Sequence, residues 1–151
     1  MRNALIIIAL AGLCGCGASF EQSTPGGFVE LEDQERYDYR ATTADGLVIA
    51  VRELDHEPKG EVSFWVDAIS NHMRQRGGYA LIAKRNVRTA AGHEGVQLRF
   101  GHDQGSRPFL YYVTVFVTDD HIYLLEAGGS AEQMKQRSRD VDWAVEHFQI
   151  D

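Results

Sequence analysis

The chain has 151 residues and a formal net charge of -7, from 15 basic and 22 acidic side chains. Charged residues make up 25% and hydrophobic residues 44%, values of an ordinary globular domain that exclude a disordered, collagen-like or multi-span membrane protein. The acidic balance argues against a nucleic-acid partner, because phosphate binding needs a concentrated basic face. Length and composition together predict one domain, or a small pair of domains.

The first residues have the pattern of a secretory signal. A basic second residue precedes an apolar run over residues 4–13, which is shorter than the ~20 residues that a membrane-spanning helix needs. The run ends in Leu13-Cys14-Gly15-Cys16, which resembles the lipobox of bacterial lipoproteins. That resemblance implies cleavage between Gly15 and Cys16 and a covalent lipid on Cys16, with no other cofactor. Cleavage before Cys14 is disfavoured because Leu13 is bulky.

This interpretation divides the chain into three parts: a signal peptide over residues 1–15, a lipidated N-terminus and flexible tether over 16–36, and a folded domain over 37–151. The tether is expected because Ser, Thr, Pro and Gly dominate a stretch with few apolar residues. Within it, Phe28, Val29 and Leu31 could begin packing or form a short edge strand. Both cysteines lie at or before position 16, so the domain has no disulfide. In Gram-negative lipoproteins an Asp after the lipidated Cys usually signals inner-membrane retention, and Gly17 here favours the outer membrane.

Hydrophobic periodicity predicts two helices and six strands. A hairpin over residues 37–54 has Asp45-Gly46 as a two-residue turn, and a helix over 61–76 carries one apolar stripe. Ser130 is the expected N-cap of a final helix that runs to Phe148. Four further strands lie between the helices, at roughly 79–90, 95–102, 109–118 and 121–127.

The element order β-β-α-β-β-β-β-α is an α+β arrangement with a central antiparallel sheet. The strand over 109–118 has apolar residues on both faces and is expected at the centre. Two covered faces favour one helix on each side, which makes an α/β/α sandwich.

This order, the hairpin sequence over 39–46 and the strand-Gly-Gly ending over 122–129 resemble the PsbP-like superfamily, whose bacterial members include DcrB-type lipoproteins. The resemblance covers residues 37–150. It implies an α/β/α sandwich and a binding or assembly factor rather than an enzyme, and it transfers no functional residue because no short catalytic motif defines the family. A branch that chaperones secreted effectors is cytoplasmic, which conflicts with a signal segment.

A metal site is one candidate for the chemistry of the chain. The turns at 92–95 and 119–120 lie at the same end of the predicted meander, about two strand spacings or ~10 Å apart. Side chains of the types that bind Zn²⁺ or Mn²⁺ face that rim. They are His93, Glu94, Asp119, Asp120 and His121. The alternative interpretation is a solvated rim of turn-forming residues.

Two other residues have candidate roles. Glu126 lies near the end of an apolar strand, and a buried carboxylate there is expected to pair with an Arg or to cap a backbone group. Trp143 falls off the apolar stripe of the last helix and is a candidate partner contact. The chain has no Gly-x-Ser-x-Gly elbow and no phosphate-binding loop.

The sequence therefore predicts a lipid-anchored cell-envelope protein that faces the periplasm and acts as a non-catalytic binding, scaffolding or assembly factor for a protein partner. The alternatives are a small-ligand or metal-binding envelope lipoprotein and a chaperone-like protein of the same fold. An enzyme ranks last.

Overall fold

The computed structural model describes residues 19–151. Its elements follow in chain order. They are β1 (Phe20–Gln22), β2 (Val29–Glu30), β3 (Tyr39–Thr42), β4 (Val48–Asp55), α1 (Val62–Gly77), β5 (Ala80–Arg88), β6 (Glu94–Gln104), β7 (Arg107–Val117), β8 (His121–Ser130), α2 (Ala131–Gln136), α3 (Ser138–Glu146) and β9 (Phe148–Ile150).

Seven strands form one antiparallel sheet in the order β2-β3-β4-β8-β7-β6-β5. The local meander β5–β8 joins the β3–β4 hairpin through the pairing of β4 with β8. The middle position belongs to β8, whereas the sequence predicted β7 there. The difference arises because β2 adds a seventh strand beside β3, which shifts the centre of the sheet by one strand.

Both faces of the sheet are covered, as predicted, and the fold is an α/β/α sandwich. On one face α1 covers a core that includes Leu98, Phe100, Val113 and Val115. On the other face α2 and α3 cover a larger core of strand and helix residues. The two cores follow from strand alternation, since successive residues of β7 point to opposite sides.

The last helix differs from the prediction because the chain breaks at Arg137 into α2 and α3. Ser130 is the N-cap of α2, as expected. Its hydroxyl accepts the backbone N–H of Gln133 at 3.2 Å, and the side chain of Gln133 accepts the N–H of Ser130 at 2.8 Å. Phe148, placed on the helical stripe by its spacing, lies in β9 instead.

The hairpin between β3 and β4 has a three-residue loop rather than the predicted two-residue turn. The N–H of Thr43 bonds to the carbonyl of Leu47 at 2.9 Å, and Gly46 takes a positive φ of 93°. A glycine at the third loop position is the usual solution for this length. The β5–β6 turn repeats the arrangement, with Gly92 at a φ of 96°.

The predicted tether does not hold for residues 19–30, which belong to the folded domain. Phe20 and Phe28 are buried, at 7% and 8% exposed. β1 pairs with β9. β2 pairs with β3 at the edge of the sheet, which confirms the short edge strand considered for this stretch. The stretch has few apolar residues, but two well-spaced phenylalanines suffice to fix it to the core.

The predicted signal peptide, the cleavage point at Gly15 and the lipidation of Cys16 lie outside the described residues. Within the part of the chain that the structure describes, no helix is long and apolar enough to cross a membrane.

Candidate functional site

Helix α1 covers only part of its face of the sheet. It packs on β5, β6 and β7, and it leaves the same face of β3 and β4 open. Arg52 and Leu54 lie on that open part, and Leu54 is 42% exposed. We call the resulting groove between α1 and β4 the trench. Its main cavity has a volume of about 410 Å³, and six of its lining residues are Arg52, Leu54, Trp65, Ile69, Met73 and Tyr111.

A second cavity of about 270 Å³ continues the trench past Glu126. It shares Tyr111 and Glu126 with the first cavity and extends to Arg40 and Phe109. The two cavities follow the strand direction, because Leu54 of β4 lies opposite Ile122 while Val48 lies opposite Gly128. The trench is therefore an elongated groove rather than a closed chamber.

A buried carboxylate forms the floor of the trench. Glu126 is 3% exposed. Arg52 donates to its Oε1 from Nε, at 2.9 Å, and also from Nη2. The hydroxyl of Tyr111 donates to Oε2. The predicted pairing of Glu126 with an arginine is thus confirmed, and both oxygens of the carboxylate are satisfied.

The same network perturbs Tyr111. Burial and the neighbouring charge of Glu126 raise the pKa of the Tyr111 phenol well above its ordinary value. The phenol therefore stays protonated and remains a donor to the carboxylate. Glu126 thus accepts three hydrogen bonds, two from Arg52 and one from Tyr111.

A tyrosine ring between two guanidinium groups forms one wall. The ring of Tyr37 lies 5.8 Å from the Cζ of Arg40 and 5.7 Å from that of Arg52, within cation–π range. Arg40 also pairs with Glu35 at 3.0 Å. Arg52 keeps 39% of its side chain exposed and lines the main cavity of the trench.

The structure does not bring the predicted metal ligands together. Glu94 pairs with Arg88, and the Nε2 of His121 lies 3.3 Å from Glu53. Each of these groups is held by a nearer partner on its own or the adjacent strand. Across residues 19–151, no group of three or more His, Cys, Asp or Glu side chains is arranged to hold a metal ion. The other members of the predicted rim, His93, Asp119 and Asp120, lie at the turns without converging on a common point.

Trp143 is half-buried. Its ring stacks on that of His147, with centroids 4.1 Å apart. It lies on α3, across the sheet from the trench. The structure therefore separates this predicted contact from the trench.

Sequence reasoning assigned no site role to Arg40 or Arg52. One signal was available for Arg52, because it alternates in phase with Ala50 and Leu54 on a strand face that is otherwise apolar. The sequence did not indicate which residue pairs with Arg52, because that depends on the register of β4 against β8, which the sequence pattern does not determine.

No family model matches the chain, and no curated protein matches it. Several solved structures do. LpqN of Mycobacterium tuberculosis, described as involved in cell envelope biogenesis, superposes with a TM-score of 0.70 at 10% identity, over 87% of this chain and 82% of LpqN. The PsbP protein of the cyanobacterium Synechocystis sp. PCC 6803 has a TM-score of 0.59 at 12% identity, over 94% of this chain and 99% of that protein. The chain has the PsbP fold. The Ran-binding protein Mog1p of Saccharomyces cerevisiae shares it, with a TM-score of 0.56 at 12% identity over 90% and 92% of the two chains. The predicted fold is confirmed.

Proposed function

We propose that this protein is a lipid-anchored, non-catalytic binding factor of the cell envelope that holds a segment of a protein partner in the trench. The lipobox-like sequence ending at Cys16 supports the anchor, and Gly17 favours the outer membrane of a Gram-negative host. The structural likeness to LpqN supports an envelope role. Since the trench has accessible apolar surface and a buried carboxylate whose bonds are satisfied, it supports binding rather than catalysis.

The observation that carries this proposal is the open strip of the sheet beside α1. Leu54 and Phe64 are 42% and 54% exposed, and the half-buried Trp65 lies against Phe64 with ring centroids 5.1 Å apart. Aromatic residues and Arg are enriched at protein interfaces. We expect the partner segment to carry apolar side chains that pack on Leu54 and Trp65, and a carboxylate that pairs with the exposed part of Arg52.

The anchor is tested by fatty-acid labelling in a bacterial host. Wild type and Cys16→Ala are expressed at equal levels with a radioactive fatty acid, and the membranes are then fractionated. We expect label and membrane sedimentation for the wild type and neither for Cys16→Ala. An unlabelled wild type would contradict the lipid anchor.

The trench is tested by site-directed photocrosslinking in native membranes. A photoreactive residue replaces Leu54 in one variant and Ile82 in the control. Ile82 is also exposed and apolar, at 61%, but lies on the edge strand β5. We expect a discrete protein adduct from position 54 that is absent from position 82. The adduct's partner, once purified, should bind Leu54→Asp at least tenfold more weakly, about 1.4 kcal/mol. Equal adducts from both positions would refute the trench as the binding site.

A small ligand is the second candidate occupant, because about 410 Å³ lies within the range of small-molecule sites, ~300–1,000 Å³. Native mass spectrometry of protein isolated from envelopes tests this alternative. A bound mass that disappears in a trench-filling Ala68→Phe variant would favour the small ligand over a protein segment.

A further inference from the structure

The N-terminal end of the described chain is fixed to the body of the domain. The hydroxyl of Ser19 donates to Oε1 of Glu53 at 2.6 Å, and its N–H donates to Oε2 at 3.3 Å. Its carbonyl accepts the N–H of Asp151 at 3.0 Å. The hydroxyl of Tyr123 also contacts the Ser19 hydroxyl. Ser19 is thus bound to β4, to β8 and to the residue that follows β9.

The next residue strengthens this attachment. The buried ring of Phe20 lies 5.5 Å from that of Phe148 and 6.0 Å from that of Tyr123, measured between centroids. Phe20 pairs with Ile150 in the β1–β9 ladder. Ser19 cannot leave the domain without withdrawing Phe20 from the core, so the exit point of the chain has a fixed position.

Little chain separates this fixed point from the proposed lipid. Only Gly17 and Ala18 lie between Cys16 and Ser19. Three Cα–Cα steps reach about 11 Å at full extension. The polar headgroup region of a bilayer leaflet is itself about 5–8 Å thick. A lipid on Cys16 therefore holds Ser19 within roughly one headgroup layer of the membrane.

We propose that the corner formed by Ser19, Glu53, Asp120, His121 and Asp151 faces a phospholipid bilayer, and that the domain stands on the membrane with its strands end-on. This inference rests on the lipidation of Cys16 in the proposed function. Asp120 and Asp151 are exposed at this corner, so its charge does not attract anionic lipid. The short connection between Cys16 and Ser19 fixes the orientation of the domain. The surface that fits this corner is a bilayer of zwitterionic lipids.

The orientation also places the trench. Leu54 lies opposite Ile122, one position from the corner residue His121, whereas Val48 lies opposite Gly128 at the far end. The trench therefore begins beside the bilayer and leads away from it. The partner segment proposed above would then approach from a position next to the membrane.

Single-cysteine fluorescence quenching tests the orientation. The mature chain has only Cys16, whose thiol carries the lipid, so an introduced cysteine can be labelled alone. Asp120→Cys places a fluorophore at the corner. Ser106→Cys places it in the β6–β7 turn, about 33 Å away along the eleven-residue strand β7. The lipidated proteins are reconstituted in phosphatidylcholine vesicles that carry a nitroxide on the headgroup. We expect at least fivefold stronger quenching at position 120.

A ten-residue Gly-Ser insertion between Ala18 and Ser19 is the matched control. It adds a flexible span of about 18 Å, root mean square, without changing the domain. Quenching at position 120 should then fall towards that at position 106. Equal quenching at the two positions, or quenching that the insertion does not change, would overturn the proposed orientation. The lipid anchor would still stand if the protein takes up the labelled fatty acid. A protein without fatty acid would overturn both proposals.

Discussion

Arg52 on β4 reaches diagonally across the sheet to Glu126 on β8, although the residue directly opposite Arg52 is Leu124. Diagonal neighbours on antiparallel strands lie within reach of long side chains. A shift of one residue in this pairing would move Arg52 to the other face of the sheet. The pair thus specifies the register that joins the hairpin to the meander.

We expect Glu126→Gln to destabilise the domain by about 1–3 kcal/mol. The amide keeps the shape of the side chain but places an N–H₂ group among donors from Arg52 and Tyr111, so at least one buried bond is lost. Urea denaturation measures the change. Glu132→Gln, an exposed acid in the first turn of α2, is the control and should shift the free energy of unfolding by less than about 0.5 kcal/mol. Equal effects of the two variants would argue against the network.

Stability should fall at alkaline pH, and Tyr111 should account for part of the fall. The pKa of Tyr111 is raised in the folded state by burial and by Glu126, whereas in the unfolded chain the phenol ionises near pH 10. The contribution of the Tyr111 phenol to the free energy of unfolding is complete below pH 10. It is lost as the pH rises, because the phenol loses its proton in the unfolded state before it does so in the folded state.

Tyr111→Phe removes this titration. Its free energy of unfolding should start lower at about pH 8, because one bond to Glu126 is missing, and should decrease less steeply than that of the wild type up to about pH 11. Denaturant titrations at several pH values measure both slopes. Parallel slopes would show that Tyr111 does not contribute to the alkaline loss.

Gly95→Ala should destabilise the domain by about 1–3 kcal/mol. A Cβ at this position of β6 would lie 2.7 Å from the ring of Phe116 and 2.9 Å from the carbonyl oxygen of Val115. The carbonyl belongs to the sheet and cannot move aside. Gly26→Ala is the control, since a methyl group added there would meet no atom within 4 Å. Thermal denaturation of both variants measures the difference. A melting temperature for Gly26→Ala that is lower than that of Gly95→Ala would contradict the prediction.

Ser130→Ala should cost about 1 kcal/mol, because it removes the acceptor for the N–H of Gln133. Ser138→Ala is the control, since α3 begins without a side-chain cap. Chemical denaturation should show a larger loss for Ser130→Ala. A similar loss for both would mean that the capping box does not contribute to stability.

Elements with a clear local pattern were predictable. The helix α1, the meander β5–β8 and the N-cap Ser130 follow from periodicity and turn chemistry. The break at Arg137 was not predictable, because the apolar spacing from Met134 to Val145 continues through it. The attachment of Phe20 was not predictable either, since its partners Tyr123 and Phe148 lie more than 100 positions away.

The candidate site shows the same limit. Glu126 stood out because a carboxylate interrupts an apolar strand, and its pairing with an arginine was expected. Which arginine, and which tyrosine, depended on the register of β4 against β8 and of β7 against β8. The metal prediction placed the two turns correctly at one end of the sheet, but competing ion pairs take Glu94 and His121.

The junction between β4 and β8 has a consequence for how the chain assembles. Arg52 and Glu126 are separated by 74 positions, whereas the strands of the β5–β8 meander are joined by short turns. Closing a long loop costs entropy before its contacts form, and such pairings slow folding. The meander can therefore form early, and the β3–β4 hairpin must wait with an unpaired edge until β8 is in place. Until β8 pairs with it, this unpaired edge can associate with other chains and aggregate.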